Sequence, residues 1–335
     1  MKELGTLKTF LSSPKKIVIT THANPDADAL GSSLGLHHFL KNRGHNCTVV
    51  TPTDYPEFLH WMEGNDEVVV NNNDTHQHCA KLISEADLIC CLDFNGLKRI
   101  KNLDEPVKNA QGKTLLVDHH LNKEIEADFE LWDDKAAATA ELIFDLIKIL
   151  EGESEINTAI AEALYAGIMT DTGSFKHGST SAKIHRTVAD LMDHGVNVNK
   201  VSRLIYDTNS LNRLRFIGYA LMEKLIVNMD QKVAYFVINA EEHERFHLKS
   251  GDTEGLVNYA LSIKGIVIAA IIMEKNGEVK MSFRSVGDYA VNDFAAAHFN
   301  GGGHKNAAGG LSDLNLEATV EKFKSLIPEL QHTLI

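Results

Sequence analysis

Four short stretches carry side chains suited to hard cations. THANPDADALGSS groups His22, Asp26 and Asp28, with Pro25 stiffening the turn ahead of a helix. CLDFN closes an apolar run on Asp93, and GKTLLVDHHLN ends another on Asp118-His119-His120. GIMTDTGSF sets Asp171 at the end of a helical stretch. Bare carboxylates packed together repel and take up protons. Divalent cations remove that conflict: Asp26, Asp28, Asp93 and Asp171 supply four negative charges, and two metal ions supply four positive ones. A mixed carboxylate and imidazole set is hard to borderline in character. It suits Mn2+, with Mg2+, Co2+ or Zn2+ as substitutes. Two such ions roughly 3.5–4 Å apart, bridged by a carboxylate and a water, favour in-line attack at phosphorus.

The surrounding pattern must bring these stretches together. KIVITTH (16–22), NCTVVT (46–51), DEVVV (66–70), DLICCLD (87–93) and KTLLVDH (113–119) are apolar runs of strand length. Helical spacing separates them, in 29–44, 136–152, 157–173 and 180–195, and a further helical stretch runs to about Val227. Uniformly apolar strands alternating with helices predict a parallel sheet covered on both faces. Ligands of such α/β sheets bind beyond the carboxyl ends of the strands. The first three clusters are therefore expected to share one crevice, with Asp171 joining from a neighbouring helix. Beyond residue 228, KVAYFVIN (232–239), a hairpin within 266–285 turning at Asn276-Gly277, and a closing helix (315–327) predict a second, smaller α/β domain. The expected division is a metal-binding catalytic domain over 1–195, a helical connector over 196–228 and a second domain over 229–335.

A length of 335 residues accommodates two domains, and 44% apolar residues give each a core. The net charge of −13 argues against an extended grip on duplex nucleic acid. It leaves room for a short phosphorylated substrate held through metal ions. Cys47, Cys79, Cys90 and Cys91 form no spaced framework and read as reduced thiols. No apolar run reaches the roughly 18–20 residues of a membrane span, and MKELGTLKTFLSSPKK lacks the apolar centre of a signal peptide. A cytoplasmic protein with no membrane partner is expected.

The ordered set H-x-x-x-D-x-D, a lone strand-end Asp, D-H-H and the Asp of TDTGSF resembles the DHH phosphoesterase family. SFRS (282–285) and NGGGHKNAAGG (300–310) are similar to the DHH-associated substrate-binding domain of one branch. The resemblance covers nearly the whole chain. With TEGLVNY (253–259), it looks most like the branch that degrades short oligoribonucleotides and dephosphorylates adenosine 3′,5′-bisphosphate. It implies an active site in the interdomain cleft, with His22, Asp26 and Asp93 on one Mn2+ and Asp28, Asp93, His119 and Asp171 on the other. Asp118 would orient an imidazole, and His120 would touch the substrate phosphate and protonate the leaving oxygen. Asn24 and Ser32 would be neighbours of the site. Arg284, Ser285, Gly301, Gly302, Gly303 and His304 would bind substrate, the arginine through its planar fork and the glycines by letting backbone approach an anion. The implied partners are short RNA oligonucleotides and nucleoside bisphosphates, and a homodimer is compatible with the sequence.

Each feature also has a plainer reading. A strand-end Asp is usually a turn or cap residue, NPDAD alone is an Asx turn, and glycine runs usually mark turns. HERFH (243–247) matches a zinc-protease pattern but has no third ligand, and its helix fails by Gly251. HQHC (76–79) lacks a partner cluster. His37-His38 lies mid-helix and reads as surface, and Leu142, Ile143, Leu146, Ile147 and Leu150 form a core stripe. Hydrolysis of pyrophosphate or polyphosphate, DNA exonuclease action, a linear or cyclic dinucleotide phosphodiesterase, and a non-catalytic nucleotide-binding module are the alternatives.

Overall fold

The computed structural model describes residues 2–332 apart from 177, 250 and 276, with side chains as far as Pro328. Contacts divide the chain into two units, Met1–Thr208 and Asn209–Ile335.

The strands of the first unit are β1 (Lys16–Thr21), β2 (Asn46–Thr51), β3 (Val69–Val70), β4 (Leu88–Leu92), β5 (Lys113–Asp118) and β6 (Phe129–Trp132). Its helices are α1 (Leu4–Phe10), α2 (Ala27–Asn42), α3 (His76–Ser84), α4 (Asp104–Asn109), α5 (Thr139–Ile149), α6 (Thr158–Asp171), α7 (Ala182–Asp193) and α8 (Val198–Tyr206). The strands pair in parallel in the order β3-β2-β1-β4-β5-β6. The chain thus works outward from β1 to β3, then returns to lay β4 against the other side of β1. Loops leaving β1 and β4 diverge there, opening a crevice at the point of reversal.

Alternate strand residues feed two cores. Ile17, Ile19, Cys90, Leu92, Leu115 and Val117 pack on the face that carries α2, α5 and α6. Val18, Val50, Ile89, Cys91 and Leu116 pack on the other. The core stripe Leu142, Ile143, Leu146, Ile147 and Leu150 is buried as expected. Helices α2 and α6 lie unusually close. A Cβ on Gly31 would meet the Ala163 carbonyl oxygen at 2.3 Å, and one on Gly167 would meet Asp28 Oδ1 at 2.7 Å. Only glycine permits that approach, which draws Asp28, at the start of α2, toward the end of α6.

The second unit holds β7 (Leu225–Asn228), β8 (Val233–Ile238), β9 (Ile268–Lys275), β10 (Glu278–Ser285), β11 (Gly302–His304) and β12 (Ala307–Ser312). Its helices are α9 (Leu211–Tyr219), α10 (Ala240–Arg245), α11 (Leu256–Leu261), α12 (Val291–His298) and α13 (Leu316–His332). The mixed sheet runs β11-β12-β10-β9-β8-β7, with β8 and β9 parallel and the remaining pairs antiparallel. Phe283, Phe294, Phe299 and Phe323 anchor the core on one face, and Phe216 and Phe236 on the other.

Three expectations are corrected. The helical stretch does not reach Val227: a π-turn at Ala220–Lys224 ends it, and Leu225–Asn228 pairs with β8 as an edge strand. DEVVV yields only a two-residue strand, because Asn65–Glu67 is a 3-10 turn. His37 is buried rather than superficial, because α2 is packed on more than one side. The β9–β10 hairpin is present, while its expected turn residue Asn276 lies outside the described residues. Among the described residues no helix is long and apolar enough to cross a membrane.

Candidate metal centre

The first three clusters lie at or just past the ends of β1, β4 and β5, and the chain fixes the orientation of their side chains. His22 follows β1. Its Nδ1 lies 3.0 Å from the Ala23 carbonyl oxygen, which only accepts, so Nδ1 carries the proton. That turns Nε2 toward Asp93 Oδ2 at 3.4 Å and Asp26 Oδ2 at 3.9 Å. His119 follows β5 and repeats the device. Its Nδ1 lies 3.1 Å from the Ala136 carbonyl oxygen, and its Nε2 faces Asp171 Oδ2 at 3.2 Å, Asp93 Oδ1 at 3.5 Å and Asp28 Oδ2 at 3.7 Å. A ring nitrogen held by a carbonyl while its partner nitrogen faces carboxylates is the arrangement of a metal-ligating histidine.

The carboxylates are equally constrained. Asp26 caps α2, its Oδ1 accepting the N–H groups of Asp28 and Ala29 at 3.0 Å each, which leaves Oδ2 for the crevice. Asp28 is buried and accepts from the first N–H groups of α5, Thr139 at 2.7 Å and Ala140 at 2.9 Å. Ser32 Oγ adds a long bond to Asp28 Oδ1 at 3.4 Å. Asp93 adopts φ 64°, a left-handed conformation that aspartate tolerates better than most residues. Its N–H donates to the Val117 carbonyl at 3.0 Å, and its Oδ1 accepts the Thr139 hydroxyl at 2.7 Å. Asn24, also left-handed, donates its backbone N–H to Thr53 Oγ1.

Electrostatics match this crowding. Burial, followed by the charges of Asp93 and Asp171, pushes Asp28 well above the usual carboxylate range. Burial would also raise Asp93, but the imidazoles of His22, His120 and His119 together outweigh it and pull the group down. Burial works against charge on His22 and His119, yet Asp93 leads the carboxylates that raise both. Asp118 is fully buried at the end of β5, and its Oδ1 lies 2.7 Å from His120 Nδ1. Burial, then the Asp93 charge, lifts Asp118 to about 7. Burial depresses His120 to about 3 despite the pull of Asp93. Burial thus favours the uncharged pair, a protonated Asp118 carboxyl beside a neutral His120 ring.

The ligand atoms of His22, Asp26 and Asp93 lie within 4.8 Å of one another, as do those of Asp28, His119 and Asp171. Those of Asp93, Asp118 and His120 form a third group by the same measure. The donors are three imidazoles and five carboxylates, and the crowding of buried carboxylates fits divalent cations. HERFH and HQHC form no such group among the described residues. The first has left the α10 helix before His247, and in the second His76 is taken by Asn71.

In the second unit, Arg284 on β10 and His304 on β11 both lie in register with Ala307 of β12. They therefore share one face, two strands apart. The Ser285 hydroxyl donates to the Tyr289 carbonyl and accepts from Asn306 Nδ2. A Cβ on Gly301 would meet the Gly309 carbonyl oxygen at 2.1 Å, and one on Gly303 the Ala307 carbonyl oxygen at 2.6 Å. A Cβ on Gly302 would meet nothing within 4 Å. Sequence reading missed Thr139, which ties Asp28 to Asp93 through its N–H and its hydroxyl. A threonine opening a helix after three alanines carries no signal beyond ordinary helix chemistry.

Residues 16–168 match the DHH family N-terminal domain, and residues 230–331 match the DHHA1 domain. The chain belongs to the DHH family and is a hydrolase acting on phosphoester bonds. It is 30% identical to the bifunctional oligoribonuclease and PAP phosphatase NrnA of Thermus thermophilus, across 93% of this chain and 89% of that protein. It is 28% identical to the protein of the same name from Bacillus subtilis, across 88% of each. The crystal structure of an exopolyphosphatase-related protein from Bacteroides fragilis superposes with a TM-score of 0.91 at 37% identity, covering 98% of this chain and 97% of that one.

Proposed function

We propose that the protein is a manganese-dependent phosphoesterase that hydrolyses short oligoribonucleotides and adenosine 3′,5′-bisphosphate by metal-activated water. One observation carries the reading. Asp93 turns one carboxylate oxygen toward His22 and the other toward His119, at 3.4 and 3.5 Å, and so stands between two ligand groups. His22, Asp26 and Asp93 would hold one ion, and Asp28, Asp93, His119 and Asp171 the other. When bound, the ions supply Lewis acidity toward phosphoryl oxygen and attacking water. The protein's own residues do the rest. Thr139 fixes the rotation of the Asp93 carboxylate, and the α5 N-terminus holds Asp28 in place. A neutral His120 gives its Nε2 proton to the leaving oxygen and takes the Asp118 carboxyl proton at Nδ1, ending as the other neutral tautomer. Arg284, Ser285, Gly301, Gly302, Gly303 and His304 hold the substrate's other phosphate or its base. The relatives named above support these substrates in particular.

The test is a panel with added Mn2+: a ribodinucleotide, adenosine 3′,5′-bisphosphate, a cyclic dinucleotide, pyrophosphate, polyphosphate and a long single-stranded DNA. Turnover of the first two ahead of the rest is expected. Turnover confined to pyrophosphate and polyphosphate, or to the cyclic dinucleotide, would replace the reading.

A further inference from the structure

Beside the carboxylates lies a short basic segment. After Asp93 the chain enters a 3-10 turn, Leu97–Leu103, that carries Lys98, Arg99 and Lys101. The Arg99 carbonyl accepts the Ala23 N–H at 2.8 Å, one residue past His22. This bond ties the loop leaving β4 to the loop leaving β1 at the point where strand order reverses. Both loops are conformationally costly: Asn24, Asp93 and Lys101 have φ of 54°, 64° and 50°. Left-handed non-glycine residues persist where surrounding structure over-determines them, and they concentrate at functional sites.

Arg99 is half-buried, and among the described residues its guanidinium takes part in no ion pair or hydrogen bond. Arg43, which is likewise half-buried, is by contrast paired with Glu155 at 2.6 Å. The Arg99 charge nevertheless reaches the centre, where it lowers the pKa of His22, Asp118 and His120. In a chain of net charge −13, a half-buried arginine unpaired beside buried aspartates is explained by an incoming anion. Cations offset the ligand carboxylates, but a phosphate brings further negative charge. A guanidinium fork matches two phosphoryl oxygens where an ammonium offers a point charge.

We propose that Arg99 binds the phosphoryl group presented to the Asp93 centre, giving the first unit its own anion-holding residue. This rests on reading the centre as a phosphoester hydrolase. The test uses the full chain loaded with Mn2+, a ribodinucleotide as substrate, and adenosine 5′-monophosphate against adenosine as calorimetric probes that need no turnover. Arg99→Gln leaves the backbone bond to Ala23 in place. It is expected to raise KM for the dinucleotide roughly 10- to 100-fold and to remove most of the preference for the monophosphate over adenosine, as loss of a charge-assisted bond does. Mn2+ affinity should stay unchanged, and Arg99→Lys should recover part of the loss. Wild-type KM and wild-type monophosphate binding in Arg99→Gln would overturn the proposal while leaving the hydrolase reading intact. So would a loss of Mn2+ binding that accounts for the whole defect. A wild-type protein that turns over no phosphoester would instead defeat the underlying reading, and the proposal with it.

Discussion

The carboxylate crevice of the first unit and the glycine hairpin of the second solve different physical problems. In the crevice Asp28, Asp93 and Asp118 are 1%, 2% and 0% exposed; the first turn of α5 aims Asp28 and Asp93, and Asp118 pairs with His120. In the hairpin Arg284 and His304 are half-buried, Gly302 and Gly303 are exposed, and β11 is a three-residue edge strand. The crevice is organised before any ligand arrives, because charges this buried must be aimed and compensated in advance. The hairpin keeps its donors near solvent, where they need no compensation in advance. Changes in the crevice should therefore alter chemistry, metal binding and pH response steeply, and changes in the hairpin should alter affinity mildly.

The sharpest test removes the Asp93 carboxylate, which faces both His22 and His119. Asp93→Ala is expected to lower turnover of a ribodinucleotide by at least about 10⁴-fold, the scale on which residues acting as a unit fail. Rates must be measured on purified protein with added Mn2+. Retention of more than a tenth of the activity would erase the contrast between the regions.

The next effect is on stability. The folded pKa of Asp118 is raised from 3.8 to about 7, so proton binding favours the folded state. That contribution is fully present below about pH 4 and is lost as pH rises through about 7. A shift of this size corresponds to on the order of 4 kcal/mol at most. Urea denaturation of metal-stripped protein between pH 4 and 8 should show stability falling over this window. Asp118→Asn, which cannot ionise, should flatten the fall. An unchanged slope would assign the pH dependence to another group.

Thr139→Val sits one step from the ligands. It keeps the N–H bond to Asp28 and deletes the 2.7 Å hydroxyl bond to Asp93. Loss of such a partner costs roughly 10- to 100-fold in metal affinity. Mn2+ titration followed by calorimetry reads this directly, and wild-type affinity would show that the carboxylate needs no help in holding its rotation.

These residues also show what the sequence made legible. Asp93 and Asp118-His119-His120 stood out because apolar strands ended on them, and strand ends of a parallel sheet converge. Asp171 stood out because a helix ended on it. Thr139 was invisible: its role depends on a fold that delivers two aspartates from distant segments to the first turn of α5. Arg99 was invisible for a similar reason, since only a backbone bond between loops reveals its place. Leu225–Asn228 was misread because Gly218 to Lys224 keeps helical spacing up to the π-turn. The four residues that follow are strand only because β8 offers them an edge. Gly301 to Gly303 were read as room for an anion. For Gly301 and Gly303, the hairpin's own carbonyl oxygens account for the missing side chain.

Gly302 is the exception, and it offers the mildest and most discriminating test. A methyl group there meets no protein atom within 4 Å, so packing gives no reason for glycine. Its φ is not left-handed, so alanine introduces no backbone strain of that kind. Gly302→Ala should therefore leave the unfolding midpoint within the roughly 0.5 kcal/mol typical of surface substitutions. If the hairpin backbone approaches a substrate anion, the same methyl group should raise KM for a ribodinucleotide severalfold at unchanged kcat. Equal KM and equal stability would make Gly302 an ordinary turn residue and would confine substrate contact in the second unit to the Arg284 and His304 row. Reduced stability without a change in KM would return all three glycines to packing.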